Sequence, residues 1–402
     1  VRTWEAALAA LALAAPAAGG SRQVELGLED FYYRTAETPL NRGNLLGLRR
    51  DEDLLRAVLN WREMRGRARL VFRGFVERRL AGGTEWIARE AYAQYAWGEA
   101  LSLRVGKQRV AWGSGFAWNP SNRVERPKNP LNTGLEQEGA LAARADWIPS
   151  ARAGVIALVA RSDNAVGDLP FDPPRARRRT HALRARLLVK DTDAALIVSG
   201  GPGQRTLLGL DVGRALGWGV TVHAEASAYR GAELPPAREG RTFVRVATGA
   251  LRTVGAHSTV ALEYFFNGEG YDDAGIEGYL AGLDAAYARA RAPEAPEAVR
   301  EAALREYLAG AGAPYAGGLG LRRHYLHASW TRAVTGGRWS TALRALAGLD
   351  DGGVVLTPGL GFAPRDDLSL HLDGVLLLGP ARSEYRLAPL RGAVQARARV
   401  SF

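Results

Sequence analysis

Alternation of apolar and polar residues dominates this chain. From Gly219 to Ala228, Val220, Val222, Ala224, Ala226 and Ala228 share one parity, and Thr221, His223, Glu225 and Ser227 share the other. Period two puts the two sets on opposite faces of a strand. Segments 180–190, 338–349 and 367–378 repeat the pattern: Leu183, Ala185, Leu187 and Val189 oppose Arg184, Arg186 and Lys190, and Leu368, Leu370 and Leu372 oppose Ser369, His371 and Asp373. Further strands are predicted at 24–34, 53–62, 67–78, 86–97, 100–111, 139–148, 152–161, 194–201, 205–213, 241–251, 257–267, 319–332, 353–362 and 390–402. The count is about eighteen, with sixteen as the alternative, because 24–34, 86–97 and 319–332 hold their phase poorly. Arg89 falls on the apolar side of 86–97, which points to a misplaced boundary or a bulge.

Strands of this length with one apolar face suit an all-β fold: a closed antiparallel transmembrane β-barrel, apolar residues outward and polar residues in the lumen. Lipid offers a backbone amide no partner, so strands cross a bilayer only as a closed sheet. The connections agree. With the last strand ending on the periplasmic side, the inner connections 63–66, 98–99, 149–151, 191–193, 214–217, 252–256, 333–337 and 363–366 are short. The outer ones include 35–52, 112–138, 162–179, 230–240 and 268–318; 202–204 and 350–352 are short exceptions. Trp61, Trp97, Trp147, Trp218, Trp330 and Trp339 cluster near the short turns, as a membrane-interface belt would.

In the last segment, Leu390, Gly392, Val394, Ala396, Ala398, Val400 and Phe402 face one way, and Arg391, Arg397 and Arg399 the other. This stretch resembles the terminal strand of Gram-negative outer-membrane barrels, whose final aromatic residue is part of the signal read by the barrel assembly machinery. The resemblance implies an outer-membrane location, with lipid and lipopolysaccharide around the barrel and Phe402 in the belt. At the other end, residues 1–20 read as a signal peptide: Arg2, an apolar stretch from Ala6 to Ala18, then Gly19-Gly20-Ser21, with cleavage between Ala17 and Ser21. The domain division is therefore 1–20 signal and 21–402 barrel.

Composition narrows the chemistry. The chain has no Cys, which excludes disulfide scaffolds, Cys-ligated metal and thiol catalysis. Mean hydropathy is −0.16, and no eighteen-residue apolar run follows residue 20, so a bundle of membrane helices is excluded. Lys+Arg number 53 against 42 Asp+Glu, a formal net charge of +11. All but Lys107, Lys128 and Lys190 are arginine. Two readings stand: an anionic partner, or the codon bias of a GC-rich genome.

The inward phase sharpens the first reading. It carries Arg56, Arg73, Arg104, Arg144, Arg184, Arg186, Arg245, Arg344, Arg397 and Arg399 as expected pore-lining bases, with Arg69, Arg152 and Lys190 beside them. Its acids, about half as numerous, are Glu77, Asp146, Asp211, Glu225, Glu263 and Asp373. Arginine rings favour anion passage; a ladder of structural Arg–acid pairs is the competing reading.

Gly106-Lys107-Gln108-Arg109 through Trp112-Gly113 to Trp118-Asn119-Pro120 is the most distinctive motif. It is similar to a pattern in porin-like outer-membrane proteins, including relatives of alginate-export-type barrels. Gly113 and Gly115 permit tight bends, and Asn119-Pro120 starts a turn. The expectation is a loop folded into the pore, with Lys107, Arg109, Trp112, Trp118 and Asn119 near a constriction; a stabilising plug or an interfacial aromatic cluster is the alternative.

The long connection 268–318 is predicted to be partly helical. Val299, Ala303, Leu304, Tyr307 and Leu308 follow Pro296 at helical spacing, and 283–292 forms a second short helix. It acts either as a lid on the mouth or as packing on the rim. Gly200-Gly201-Pro202-Gly203 reads as a hairpin loop.

No catalytic or metal site is expected. His324 and His327, three apart on a strand, point to opposite faces, and no Ser–His–Asp set is evident. The leading functional expectation is a porin-like channel for small, anionic solutes, without cofactor and without a nucleic-acid partner. The alternatives are a polysaccharide-export or secretion-associated barrel, and a barrel enzyme or structural barrel.

Overall fold

The computed structural model describes residues 21–402 except 81, 131–137, 163–177, 235–239, 317–319 and 335–337. The expected signal segment 1–20 lies outside the described residues. The strands, in chain order, are β1 (Ser21–Thr35), β2 (Asp51–Arg65), β3 (Ala68–Arg79), β4 (Thr84–Trp97), β5 (Leu101–Gln108) and β6 (Ala140–Ser150). They continue as β7 (Ala153–Ser162), β8 (Arg178–Val189), β9 (Thr192–Gly201), β10 (Gln204–Leu216), β11 (Val220–Arg230) and β12 (Thr242–Val254). The last six are β13 (Ser258–Asn267), β14 (His324–Ala333), β15 (Trp339–Gly348), β16 (Gly353–Arg365), β17 (Leu368–Leu378) and β18 (Leu390–Ser401).

Each strand pairs antiparallel with the next, and β1 pairs with β18 from Glu25↔Ser401 to Thr35↔Leu390, which closes an eighteen-stranded barrel. Closure leaves no strand edge unpaired. The alternation dictates which face is wet. Outward Leu196 is 64% exposed and Leu372 51%, while inward Glu225 is 1% exposed and Asp211 7%. An isolated molecule that turns its leucines out and its carboxylates in is inverted relative to a soluble protein; the outer wall is built for hydrocarbon.

Connections 66–67, 98–100, 151–152, 190–191, 217–219, 255–257, 334–338 and 366–367 are short and share one end. At the same end Trp97, Trp147, Trp218, Trp330 and Trp339 are exposed. Trp61 is half-buried on the outward phase of β2, opposite Phe72. Trp339 stacks on Phe362 at 4.3 Å and Trp97 meets Tyr95 edge-on at 4.8 Å. Phe402, 73% exposed, donates its N–H to the Val24 carbonyl at 2.8 Å.

The poor phase of segment 86–97 has a local cause. Arg73 pairs with Glu90 but Gly74 pairs with Ala88, so Arg89 is the extra residue of a β-bulge. The bulge swings its guanidinium inward, 4.8 Å from the Phe75 ring centroid. The strand expected to reach residue 111 ends at Gln108, where the chain leaves the wall.

At the other end, connection 268–323 carries two helices, α1 (Asp273–Arg291) and α2 (Glu297–Ala316). Asp272 caps α1 by accepting from Gly275 N–H at 2.9 Å. Ile276, Tyr279, Leu283 and Ala286 make its buried stripe, packed in one core with Tyr307 and Ala311 of α2. The same core takes in Leu40 from connection 36–50, Leu234 from 231–241, and Leu387 from the short helix α3 (Glu384–Leu387). Connections 36–50 and 231–241 leave the ring eight strand positions apart, nearly opposite one another. A packed core that joins them must cross the mouth. Tyr307 fastens one side, donating to the Pro39 carbonyl at 3.0 Å and accepting from Arg42 N–H at 2.8 Å. On the same side, two strands away round the ring, Arg382 pairs with Glu277 of α1 at 3.2 Å.

Candidate functional site

The site is the lumen, shaped by connection 109–139. This loop leaves β5 and runs to β13, eight strand positions round the ring. Two tight bends let it turn. Gly113 has φ +92°, and a Cβ there would lie 2.5 Å from the Glu225 carboxylate; a Cβ on Gly115 would strike the Trp118 carbonyl.

Three inward carboxylates on the far wall hold the loop by its backbone. Asp211 on β10 accepts from Ser114 N–H at 3.1 Å. Glu225 on β11 accepts from Ser121 N–H at 2.9 Å and from Gly115 N–H. Glu263 on β13, fully buried, accepts from the N–H groups of Phe116, Ala117 and Trp118, the last two at 3.1 and 2.9 Å. His223 also meets Glu263 at 2.8 Å. Charge-assisted bonds of this kind are about twice as strong as neutral ones.

Aromatic packing completes the anchorage. Trp118, 2% exposed, stacks on Phe265 at 4.9 Å and lies edge-on to His327. Trp112, also buried, packs with Val110 and Val124 against Leu158, Ala182 and Ile197 on the β6–β9 wall. Asn119 is buried and accepts from Lys128 N–H at 3.3 Å. Arg109 donates to Glu125 at 2.8 Å. Lys107 takes the outward phase of β5, opposite Leu141, and pairs with Glu138, which also receives Arg126 at 2.8 Å. Arg123, whose guanidinium burial lowers in pKa, pairs with Glu233 at 2.8 Å. Burial would raise the Glu233 carboxyl, but Arg245 and Arg123 outweigh it and hold it below its ordinary value.

The loop thus occupies the β6–β13 side of the lumen. All ten of the arginines named above project from the inward phase of their strands, but their surroundings differ. Arg245 is buried between Glu269 at 2.9 Å and Glu233 at 3.1 Å. Arg56 bridges Glu29 and Glu77 at 3.0 and 2.6 Å. Arg397 meets Asp373 at 2.5 Å, Arg399 meets Glu29 at 3.3 Å, and Arg73 meets Glu90 at 3.3 Å. Arg186 pairs with Asp193 at 2.8 Å, and Arg184 lies 3.7 Å from Asp211.

Four neighbouring strands carry a different arrangement. Arg69, Gln94, Arg104 and Arg144 are successive cross-strand partners on β3, β4, β5 and β6, one inward row. Arg144 is held by Asp146 at 2.7 Å. Arg104 rests 4.7 Å from the Tyr92 ring centroid and donates to Gln94 at 3.1 Å. Among the described residues neither Arg69 nor Arg104 has a carboxylate within ion-pair distance, and neither does Arg344 on β15. Arg104 and Arg144 are directly opposite, a juxtaposition that ordinarily destabilises a sheet by about 0.2–1 kcal/mol.

Sequence reasoning placed Asp211, Glu225 and Glu263 in the lumen but missed what they hold. Glu29 and Glu90, partners of Arg56, Arg399 and Arg73, went unread because they lie in the two strands of uncertain phase at the chain's start. Ser114, Ser121 and Asn122 carry no signal beyond being polar in a loop.

No family model matches the chain, and no curated protein matches it in sequence. Solved structures do. The outer membrane protein OprD from Pseudomonas aeruginosa has a TM-score of 0.54 at 10% identity, over 95% of this chain and 93% of that one. Pseudomonas aeruginosa OccK2 (OpdF) in complex with glucuronate has a TM-score of 0.54 at 12% identity, over 96% and 98%. Acinetobacter baumannii OccAB1 has a TM-score of 0.54 at 11% identity, over 95% and 96%. At such identities the likeness is one of fold, and it extends over the whole barrel.

Proposed function

We propose that this chain is an outer-membrane porin-like channel through which small, anionic solutes diffuse along an arginine-bearing lumen narrowed by the loop 109–139. The row Arg69–Gln94–Arg104–Arg144 carries the reading. Among the described residues two of its bases lack ion-paired acids, and two stand directly opposite despite their like charge. A passing carboxylate or phosphate would supply the missing negative charge, and a guanidinium fork suits either. The glucuronate bound to the structurally similar OccK2 is a solute of this class. In this reading the barrel sits in outer-membrane lipid and lipopolysaccharide, is inserted by the barrel assembly machinery, and uses no cofactor.

The test is reversal potential across a planar bilayer under a salt gradient. The wild-type channel is expected to prefer anions, and the variant Arg69→Gln/Arg104→Gln/Arg344→Gln to move toward neutrality. A cation-preferring or ion-tight wild-type barrel, or a triple variant of unchanged selectivity, would overturn the proposal.

A further inference from the structure

The outward face at the short-connection end carries a basic patch that a channel has no use for. Arg214 on β10, Arg252 on β12 and Arg332 on β14 share the outward phase, opposite Val222, Val260 and Ser258. Each lies within two residues of its strand's end, at Leu216, Val254 and Ala333. Their positions advance by one outward pair for every two strands. Tilted strands require that drift of residues at one depth.

All three arginines are exposed, and none has a carboxylate partner among the described residues. Elsewhere on the same rim, outward Arg65 is paired with Glu63, and Arg365 with Asp367 at 3.0 Å. The patch also coincides with exposed Trp218, Trp330 and Trp339. Running from it toward the middle of the wall is a groove of about 500 Å³, lined by Arg214, Val212, Ala224, Ala250, Leu262 and Leu326. Ala224 and Ala250 contribute small side chains among its larger lining residues.

We propose that this patch binds anionic phospholipid of the periplasmic leaflet, its phosphates along the arginine row and one acyl chain of the lipid at Arg214 in the groove. Charge complementarity selects the occupant. An apolar protein face would leave three guanidiniums unpaired, whereas anionic headgroups neutralise them at the depth where they sit. Lipopolysaccharide would lie at the opposite end, beside the long connections. The proposal rests on the barrel spanning a membrane, not on what the lumen carries.

Native mass spectrometry of the purified barrel, equilibrated with equal phosphatidylglycerol and phosphatidylethanolamine, tests it. The wild type is expected to retain phosphatidylglycerol preferentially. Each of Arg214→Gln, Arg252→Gln and Arg332→Gln should weaken retention by about fivefold, and Ala250→Leu should weaken it with the charges intact. The charge-matched set Arg289→Gln/Arg305→Gln/Arg382→Gln, at the opposite end, should leave it unchanged. Equal retention of the two lipids would overturn the proposal. So would loss in the charge-matched set, or a change of oligomeric state in the patch variants without change in lipid retention, which would make the face a contact between copies. A channel that conducts no ions would leave the lipid result intact and sink only the transport reading.

Discussion

Glu263 accepts from more backbone N–H groups of the loop than Asp211 or Glu225 does. One buried carboxylate satisfies three successive backbone N–H groups of the loop and one histidine. Truncation to alanine would orphan the three backbone donors. At about 1 kcal/mol for each buried donor left unpaired, the low end for groups that water can reach, Glu263→Ala costs about 3 kcal/mol. The barrel's own ladder of strand pairs is untouched, so the cost falls on the loop. The variant is expected to keep the heat-resistant gel mobility of a folded barrel while its loop becomes cleavable by protease and its single-channel current larger and noisier. A quiet, unchanged current would show that Trp118 and Trp112 suffice to hold the loop. Nothing local in the sequence marks Glu263 for this role. On β13 it is one polar residue in an alternating strand, and its partners lie some 145 positions earlier.

At the level of elements, legibility followed the range of the interactions. Strand positions were readable because the face a residue takes is set by its parity alone. Where parity broke, at Arg89, the cause was a bulge whose register depends on the neighbouring strand. The helix after Pro296 was readable from its own stripe, whereas α1 begins ten residues before the expected segment, at a cap formed by Asp272. How the helices meet connections 36–50 and 231–241 could not be read, because no periodicity encodes a contact between loops on opposite sides of a ring. The rim element α3 adds a pH dependence. Burial pushes the Glu384 carboxyl up to about 7, against the Tyr325 hydroxyl bond that favours its ionised form. Folding of this segment therefore takes up a proton between the ordinary value of 4.5 and about 7. The stabilisation is full below that window and is lost as pH rises through about 7. Hydrogen exchange in residues 379–389, corrected for intrinsic rates, should be faster at pH 8 than at pH 5, and Glu384→Gln should abolish the difference.

For the whole molecule the decisive quantity is where charge and grease lie relative to the wall. An arginine at an outward mid-strand position meets hydrocarbon at a cost of about 2–4 kcal/mol. Leu372→Arg should therefore lower the yield of folded barrel in liposomes, while Asp373→Asn, one residue away on the inward face, should not; equal losses would mean that the two faces are assigned wrongly. The inward charges act through water, so their reach is set by salt. The Debye length is about 10 Å at 0.1 M and about 3 Å at 1 M. At the lower salt the fields of Arg69, Arg104 and Arg344 overlap across the lumen; at the higher, each acts only on an ion in contact with it. Anion preference measured by reversal potential should thus fall steeply between 0.1 and 1 M if it arises from the summed field. Preference that survives 1 M would instead place discrimination in direct contact at the Arg69–Arg104–Arg144 row, where a bound anion sheds its screening water and salt loses its leverage.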